Sequence, residues 1–244
     1  LEPAEFYRQM LGLPSDRTDV VSLPSPFPVE NRLVRIVPTV STTYSRRGGS
    51  YDKIAAIIET VTAARPGNYM ALFPSYDFLR AVAARLPGAI CQTPQMDDAA
   101  RAAVLAALQS AAPPKLLLAV QGGVFAEGVD YPGEVLSGVI VVSPALPQVT
   151  FERERMRRYY DQRGGNGFEY AYLYPGMNRV IQSVGRLIRS ETDRGVAVLV
   201  CQRFAQDPYA ALVPADWHSA VTRNLAADLA QFWSAHMPAE LPSP

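Results

Sequence analysis

The sequence predicts an α/β domain in which a mainly parallel sheet is flanked by helices on both faces. Three observations carry this. Lys115 to Val120 and Gly138 to Val142 are near-continuous apolar runs, as strands covered on both faces require. Between such runs stand segments with apolar residues at helical spacing, so strand and helix alternate. The length of 244 residues, with 48% hydrophobic and 19% charged side chains, suffices for one large core or two small ones.

In chain order, Glu2 to Leu11 has the spacing of a short helix. Pro14, Pro24, Pro26 and Pro28 then keep the chain extended, since each biases the residue before it away from helix. Residues 1–21 read as a lead-in helix and linker. Leu33 to Val37 is the first strand, and Tyr51 to Ala64 is a helix that Pro66 and Gly67 close. Tyr69 to Phe73 is a strand, Tyr76 to Leu86 a helix, Ala89 to Gln92 a short strand, and Asp97 to Ser110 an alanine-rich helix. After the two strongest strands, Glu152 to Gln162 is a charged helix and Asn178 to Ser190 another. Gly195 to Val200 returns as a strand, and Val221 to His236 caps the fold. Residues 22–236 form the domain and 237–244 a frayed tail.

Composition narrows the function classes. Formal net charge is zero, so no global basic field advertises nucleic acid and any such contact needs a local patch. Two cysteines, Cys91 and Cys201, are too few for a disulfide framework or a four-cysteine metal site, and an intracellular, cytoplasmic setting is expected. No apolar run long enough to span a membrane and no signal peptide is evident. The first residue is leucine rather than methionine, which suggests an excised fragment.

In an open α/β sheet, ligands gather beyond the carboxyl ends of the strands. Three stations there carry chemistry. Phe73-Pro74-Ser75-Tyr76 ends a strand and opens a helix, which puts a hydroxyl beside outward-pointing N–H groups that favour an anion. The same residues serve equally if Ser75 only caps and Tyr76 only packs. Gln121 to Asp130 follows the strongest strand and contains Gly122, Gly123 and Gly128. Glu127 and Asp130 there can orient a ribose hydroxyl, a metal-bound water or a neighbouring arginine, or the glycines can simply make a loop.

The third station is Gln182-Ser183-Val184-Gly185-Arg186-Leu187-Ile188-Arg189. On a helical period Gln182, Arg186 and Arg189 share one side, opposite Val180, Val184 and Leu187. Such a face suits phosphate, and the two arginines could stabilise charge on a transferring phosphoryl group. Gly185 costs about 1 kcal/mol against alanine inside a helix, which suggests a close backbone approach or a ligand lying against it. The competing account is that these arginines offset a helix dipole or sit in solvent, with Asp193 pairing one of them at the surface. A further patch, Arg153, Arg155, Arg157 and Arg158 with Tyr159 and Tyr160, is only modestly basic because acidic residues intervene.

No phosphate loop of the form Gly-x-x-x-x-Gly-Lys-Ser/Thr occurs, and His218 and His236 have no metal-ligand or nucleophile spacing. A hydrolase complete within this chain is not expected.

Taken in order, these stations resemble the second, C-terminal motor domain of the XPD/DinG-like branch of superfamily 2 DNA helicases, over about residues 22 to 236. Ser25-Pro26-Phe27 with Glu30-Asn31-Arg32 looks like the entry to that domain. Phe73 to Tyr76 looks like motif IV, Phe125 to Asp130 like motif V, and Gln182 to Arg189 with Asp193 and Gly195 like motif VI. Pro147-Gln148, the arginine-rich helix, Tyr172 and Tyr174 resemble XPD more than DinG, and the sequence departs from DinG-like members at Leu146-Pro147 and at Ala126, where a tryptophan is usual.

The resemblance implies a RecA-like three-layer domain that closes over ATP and Mg2+ held mainly by motor domain 1 of the same polypeptide, driving movement along single-stranded DNA. On that basis Arg186 and Arg189 are arginine fingers and Gln182 lies near the γ-phosphate. Glu127, Gly128, Asp130 and Gly185 contribute to the nucleotide side, and Ser75, Tyr76, Gly123 and Arg153 to the DNA side. Family members generally move 5′ to 3′, and many carry an iron-sulfur cluster in the first motor domain; neither that cluster nor any other metal site is expected in this chain. A nucleic-acid-binding or protein-docking module without an ATP cycle is the alternative, and a stand-alone nucleotide enzyme would need a complete site.

Overall fold

The computed structural model describes residues 3–23, 25–110, 113–127 and 135–235. Expectations at Glu2, Pro24, Gly128, Asp130, His236 and the 237–244 tail lie outside the described residues.

The elements in chain order are α1 (Ala4–Met10), β1 (Arg32–Val37), α2 (Tyr51–Ala63), β2 (Tyr69–Phe73), α3 (Tyr76–Ala83), β3 (Ile90–Cys91), α4 (Asp98–Gln109), β4 (Leu116–Val120) and α5 (Val124–Glu127). There follow β5 (Gly138–Val142), α6 (Phe151–Gly164), a π-helical turn (Glu169–Leu173) running into α7 (Tyr174–Val184), β6 (Gly195–Val200), β7 (Ala220–Val221) and α8 (Leu225–Ser234). The seven strands form one sheet in the order β3-β4-β2-β5-β6-β1-β7. Every pairing in it is parallel.

Successive strand residues face opposite sides, and the two cores divide accordingly. Met70, Leu72, Leu117, Ala119, Val139 and Val141 face a layer that holds α4, α5 and α7, through Val104, Leu108, Phe125, Met177, Val180 and Val184. Ala71, Phe73, Leu118, Val120, Ile140 and Val142 face α2, α3 and α8, through Ile54, Ile58, Phe78, Leu79 and Leu229. This is the expected three-layer α/β architecture. Side-chain caps start four of its helices: Ser75 on α3, Asp97 on α4, Thr150 on α6 and Asn224 on α8.

Three expectations are corrected. The helix expected at 178–190 begins earlier and ends at Val184. The terminal helix begins at Leu225, because Ala220 and Val221 pair with Arg35 and Ile36 as an edge strand too short to show periodicity. Part of the expected 121–130 loop is helical, as α5. Among the described residues, no helix is long and apolar enough to cross a membrane.

The α8 layer is tied to β1 by Arg35, whose Nε donates to Asp228 Oδ2 at 2.8 Å. Partial burial raises the Asp228 pKa, but a hydrogen bond from Thr222 and the Arg35 guanidinium outweigh it and hold the carboxyl below its usual range. A carboxyl lowered in the folded state stabilises above its unfolded pKa of about 4 and loses that contribution as pH falls through the folded value. Asp228→Asn should therefore cost about 1 kcal/mol or less at pH 7, and the gap from wild type should close below about pH 4. Urea midpoints across that range measure this; a gap that does not narrow would refute the linkage.

Candidate functional site

The site is built on one helical rod. Pro175 lies at its α-helical start and has no N–H, so the Ala171 carbonyl four residues earlier loses its ordinary partner, and the proline ring crowds that carbonyl. The chain widens into the π turn just before it. Arg153 Nη1 donates to the Ala171 carbonyl at 2.8 Å, and the Tyr172 hydroxyl donates to Glu154 Oε1 at 2.7 Å. Arg153, expected on the DNA side, is thus engaged in bracing the rod. Gly176 lets the rod approach the segment after β5, since an added β-carbon would meet the Leu146 backbone at 3.1 Å.

Beyond Gly176, Arg179, Gln182 and Arg186 recur at intervals of three and four, while Met177, Val180 and Val184 are buried on the other side. The rod ends in a turn in which the N–H groups of Gly185 and Leu187 bond to Ile181 and Val184 carbonyls at 2.9 and 3.0 Å. Gly185 is consequently a cap, not an interior residue. An added β-carbon there would meet only carbonyls of its own helix, the nearer at 3.3 Å, so the close approach expected at Gly185 occurs at Gly176 instead.

The arginines of this rod meet the turn after β4. Gly122 has φ +72°, a conformation glycine adopts without penalty, and the Arg179 guanidinium lies over it, 3.3 Å from where a β-carbon would stand. Arg179 Nε is 3.5 Å from Glu127 Oε1. Arg186 Nε donates to the Ala126 carbonyl at 2.6 Å, and its Nη2 donates to the Glu127 carbonyl. Gly122, Glu127, Gln182 and Gly185 are all exposed, so the assembly is an open face carrying two guanidinium groups, one at the Glu127 carboxylate and one at the Ala126 and Glu127 carbonyls. Gly123 is tighter: a β-carbon there would stand 2.9 Å from the Val120 carbonyl and 3.0 Å from Gln92 Nε2.

Asp193 does not make the expected surface pairing. It is 4% exposed and accepts from the backbone N–H groups of Arg189 and Ser190 at 2.7 and 3.0 Å and from the Ser190 hydroxyl at 2.8 Å. It fixes the chain on which Arg189 is carried.

A second feature lies at the carboxyl ends of β1, β2, β5 and β6. An open groove of about 390 Å³ is lined by Thr42, Tyr44, Arg47, Ser75, Ser143 and Arg203 among others. Arg203 Nη2 donates to the buried hydroxyls of Thr42 and Ser143, at 3.0 and 2.9 Å. Tyr44 is 84% exposed, with the Arg47 guanidinium 4.4 Å from its ring centre. Ser75 reaches this groove while capping α3, accepting from Phe78 N at 3.3 Å. Tyr76 packs against the α2–α3 core instead.

Sequence reasoning missed Arg179, although its spacing of three and seven from Gln182 and Arg186 was a usable signal. Arg203, Tyr44 and Arg47 carried no local signal, because only the parallel pairing of β1 and β6 brings their loops together.

A family model described as the helicase C-terminal domain matches residues 58–220. The chain is 29% identical over 210 residues to the ATP-dependent DNA helicase YoaA of Escherichia coli K12, a match covering 84% of this chain and 32% of that protein. It is 37% identical over 89 residues to the ATP-dependent DNA helicase DinG of Photobacterium profundum, covering 36% of this chain and 13% of that one. An XPD helicase structure superimposes with a TM-score of 0.69 at 18% identity, over 91% of this chain and 41% of that one, a likeness of fold. The chain spans about a third or less of the length of these curated relatives.

Replacing Asp193 by alanine would strand the backbone N–H groups of Arg189 and Ser190, at about 1–3 kcal/mol for each group left without a partner. Asp193→Ala should therefore lower the denaturation midpoint by the equivalent of at least about 2 kcal/mol, while Glu191→Ala, exposed two residues away, leaves it in place. Equal midpoints for the two variants would contradict this role.

Proposed function

This chain belongs to the helicase C-terminal domain family, in its XPD/DinG-like branch, and from that premise we propose that it is the second motor domain of an ATP-dependent DNA helicase. Domain 2 spans residues 22–236, after the lead-in helix and linker. It closes over ATP bound to a first motor domain of the same polypeptide and couples hydrolysis to 5′ to 3′ movement on single-stranded DNA. The observation that carries the reading is the gathering of Arg179, Gln182 and Arg186 on one open face beside Gly122 and Glu127.

Arg186 and Arg189 are the arginine fingers and stabilise charge developing on the transferred phosphoryl group. Gln182 meets the γ-phosphate, and Arg179 holds Glu127 in register with them. Glu127, with Gly128 and Asp130 after it, relays nucleotide state to the DNA side. There the groove at the strand ends forms the track: Ser75 and Arg203 bind phosphate, and Tyr44 offers a ring on which a base stacks. Mg2+ and the phosphate loop belong to the first motor domain, so the isolated domain is inactive. An iron-sulfur cluster, where the parent protein carries one, is assigned on this reading to the first motor domain.

One observation favours the alternative of a docking module without an ATP cycle: Arg186 already has backbone partners in α5. Mutation separates the two. In the intact protein Arg186→Ala should cut ATP turnover on the order of a thousandfold and leave single-strand affinity within about threefold; unchanged turnover sinks the finger role. Arg203→Ala should instead weaken single-strand binding and reduce the slope of log K against log salt by about 0.7, one phosphate contact. A variant with the wild-type slope would remove Arg203 from the track.

A further inference from the structure

Two side chains of α1, Phe6 and Met10, meet the domain on and beside the rod, at the turn that precedes Pro175. Phe6 is the buried residue of α1, 6% exposed. Its ring centre lies 5.2 Å from that of Tyr170 and 5.2 Å from that of Tyr174, and those two rings are 5.6 Å apart. Tyr170 belongs to the π turn and Tyr174 opens α7, so Phe6 bridges the two sides of the junction. Tyr160 of α6 completes the cluster: it packs on Tyr170 at 4.2 Å and donates its hydroxyl to the Met10 sulfur at 3.3 Å. Beyond α1, Leu11, Leu13, Val20, Val21 and Leu23 are all exposed, so the lead-in chain leans on the domain at this cluster.

A helix missing a backbone hydrogen bond at a proline is a hinge unless side chains stiffen it. Here Phe6 adds, from a separate segment, to the bracing that Arg153 and Glu154 of α6 give, and the arginine face lies downstream. The end of α7 is roughly 15 Å from Tyr174 at 1.5 Å per residue. A swing of about 10° at the junction would move that end by about 3 Å, and misplacement by 1 Å is enough to cost about a hundredfold in a rate.

We propose that Phe6 is a positioning residue: docking of α1 between Tyr170 and Tyr174 locks the Pro175 junction and so sets the placement of Arg179, Gln182 and Arg186. The proposal rests on the helicase reading above. It makes the lead-in segment a control point for the arginine face, although Phe6 touches neither nucleotide nor DNA.

The test uses the intact protein. Phe6→Ala should lower DNA-stimulated kcat for ATP at least tenfold while leaving the KM for ATP and the affinity for single-stranded DNA within about twofold, and Phe6→Leu, which keeps an apolar anchor, should restore most of the rate. Hydrogen exchange read by mass spectrometry should quicken across residues 169–178 in Phe6→Ala, a readout that does not depend on ATP turnover. If Phe6→Ala fails to fold by circular dichroism, Met10→Ala, which removes the Tyr160 contact, should show the same split in kcat and the same local exchange, in smaller measure. Wild-type kcat and exchange in these variants, with Arg186→Ala inactive, overturns the Phe6 proposal alone. Full ATP turnover in Arg186→Ala overturns the helicase mechanism on which it rests.

Discussion

A parallel sheet buried on both faces leaves chemistry only its strand ends and the outer sides of its covering helices, and that constraint governs this domain. Each of the central strands is apolar at every position because each meets helices above and below. Polar work is therefore displaced to two places. One is the groove at the carboxyl ends, where Thr42, Ser143 and Arg203 meet. The other is the outward side of α7, whose inward side is committed to Met177, Val180 and Val184. The two places share a layer boundary, since Gly176 seats the start of the rod against Leu146 at the end of β5.

The rod is legible in the sequence only in part. The strands could be read because burial on both faces leaves an unbroken apolar run, and the capped helices could be read from Ser75, Asp97 and Thr150. The rod runs through Pro175 and Gly176, ahead of the expected start at Asn178, although both residues disfavour a helix interior. The tertiary structure overrides that signal by giving the Ala171 carbonyl a substitute donor in Arg153, eighteen residues upstream. No periodicity in the rod itself announces such a donor. For the same reason a DNA-side role was expected for Arg153, whose charge is visible in sequence while its partner is not.

The candidate site divides similarly. Gln182 and Arg186 were legible because a helix repeats, and Arg179 lay on the same repeat. The Gly122 turn was legible as glycine-rich, but its reason was not: the positive φ and the Arg179 guanidinium resting on it are properties of the pairing between α7 and the β4 turn. Arg203 depends wholly on long-range register, for its two hydroxyl partners lie 161 and 60 residues away in sequence.

The contacts of Arg186 with α5 bear on how such a finger could work. Two of its acceptors are the neutral carbonyl oxygens of Ala126 and Glu127, and a phosphate oxygen is a stronger acceptor for guanidinium than a carbonyl because the bond is then charge-assisted on both sides. Held on carbonyls, the side chain has already lost much of its rotamer freedom, so transfer to a phosphate would order it little further. The Glu127 carboxylate is paired with Arg179, so that pairing does not depend on where Arg186 lies. On the proposed function, an arginine parked on its own domain and a finger acting on a nucleotide in a neighbouring one would be two positions of one preorganised group. The rigidity of the rod beneath it would then decide whether the second position is reached.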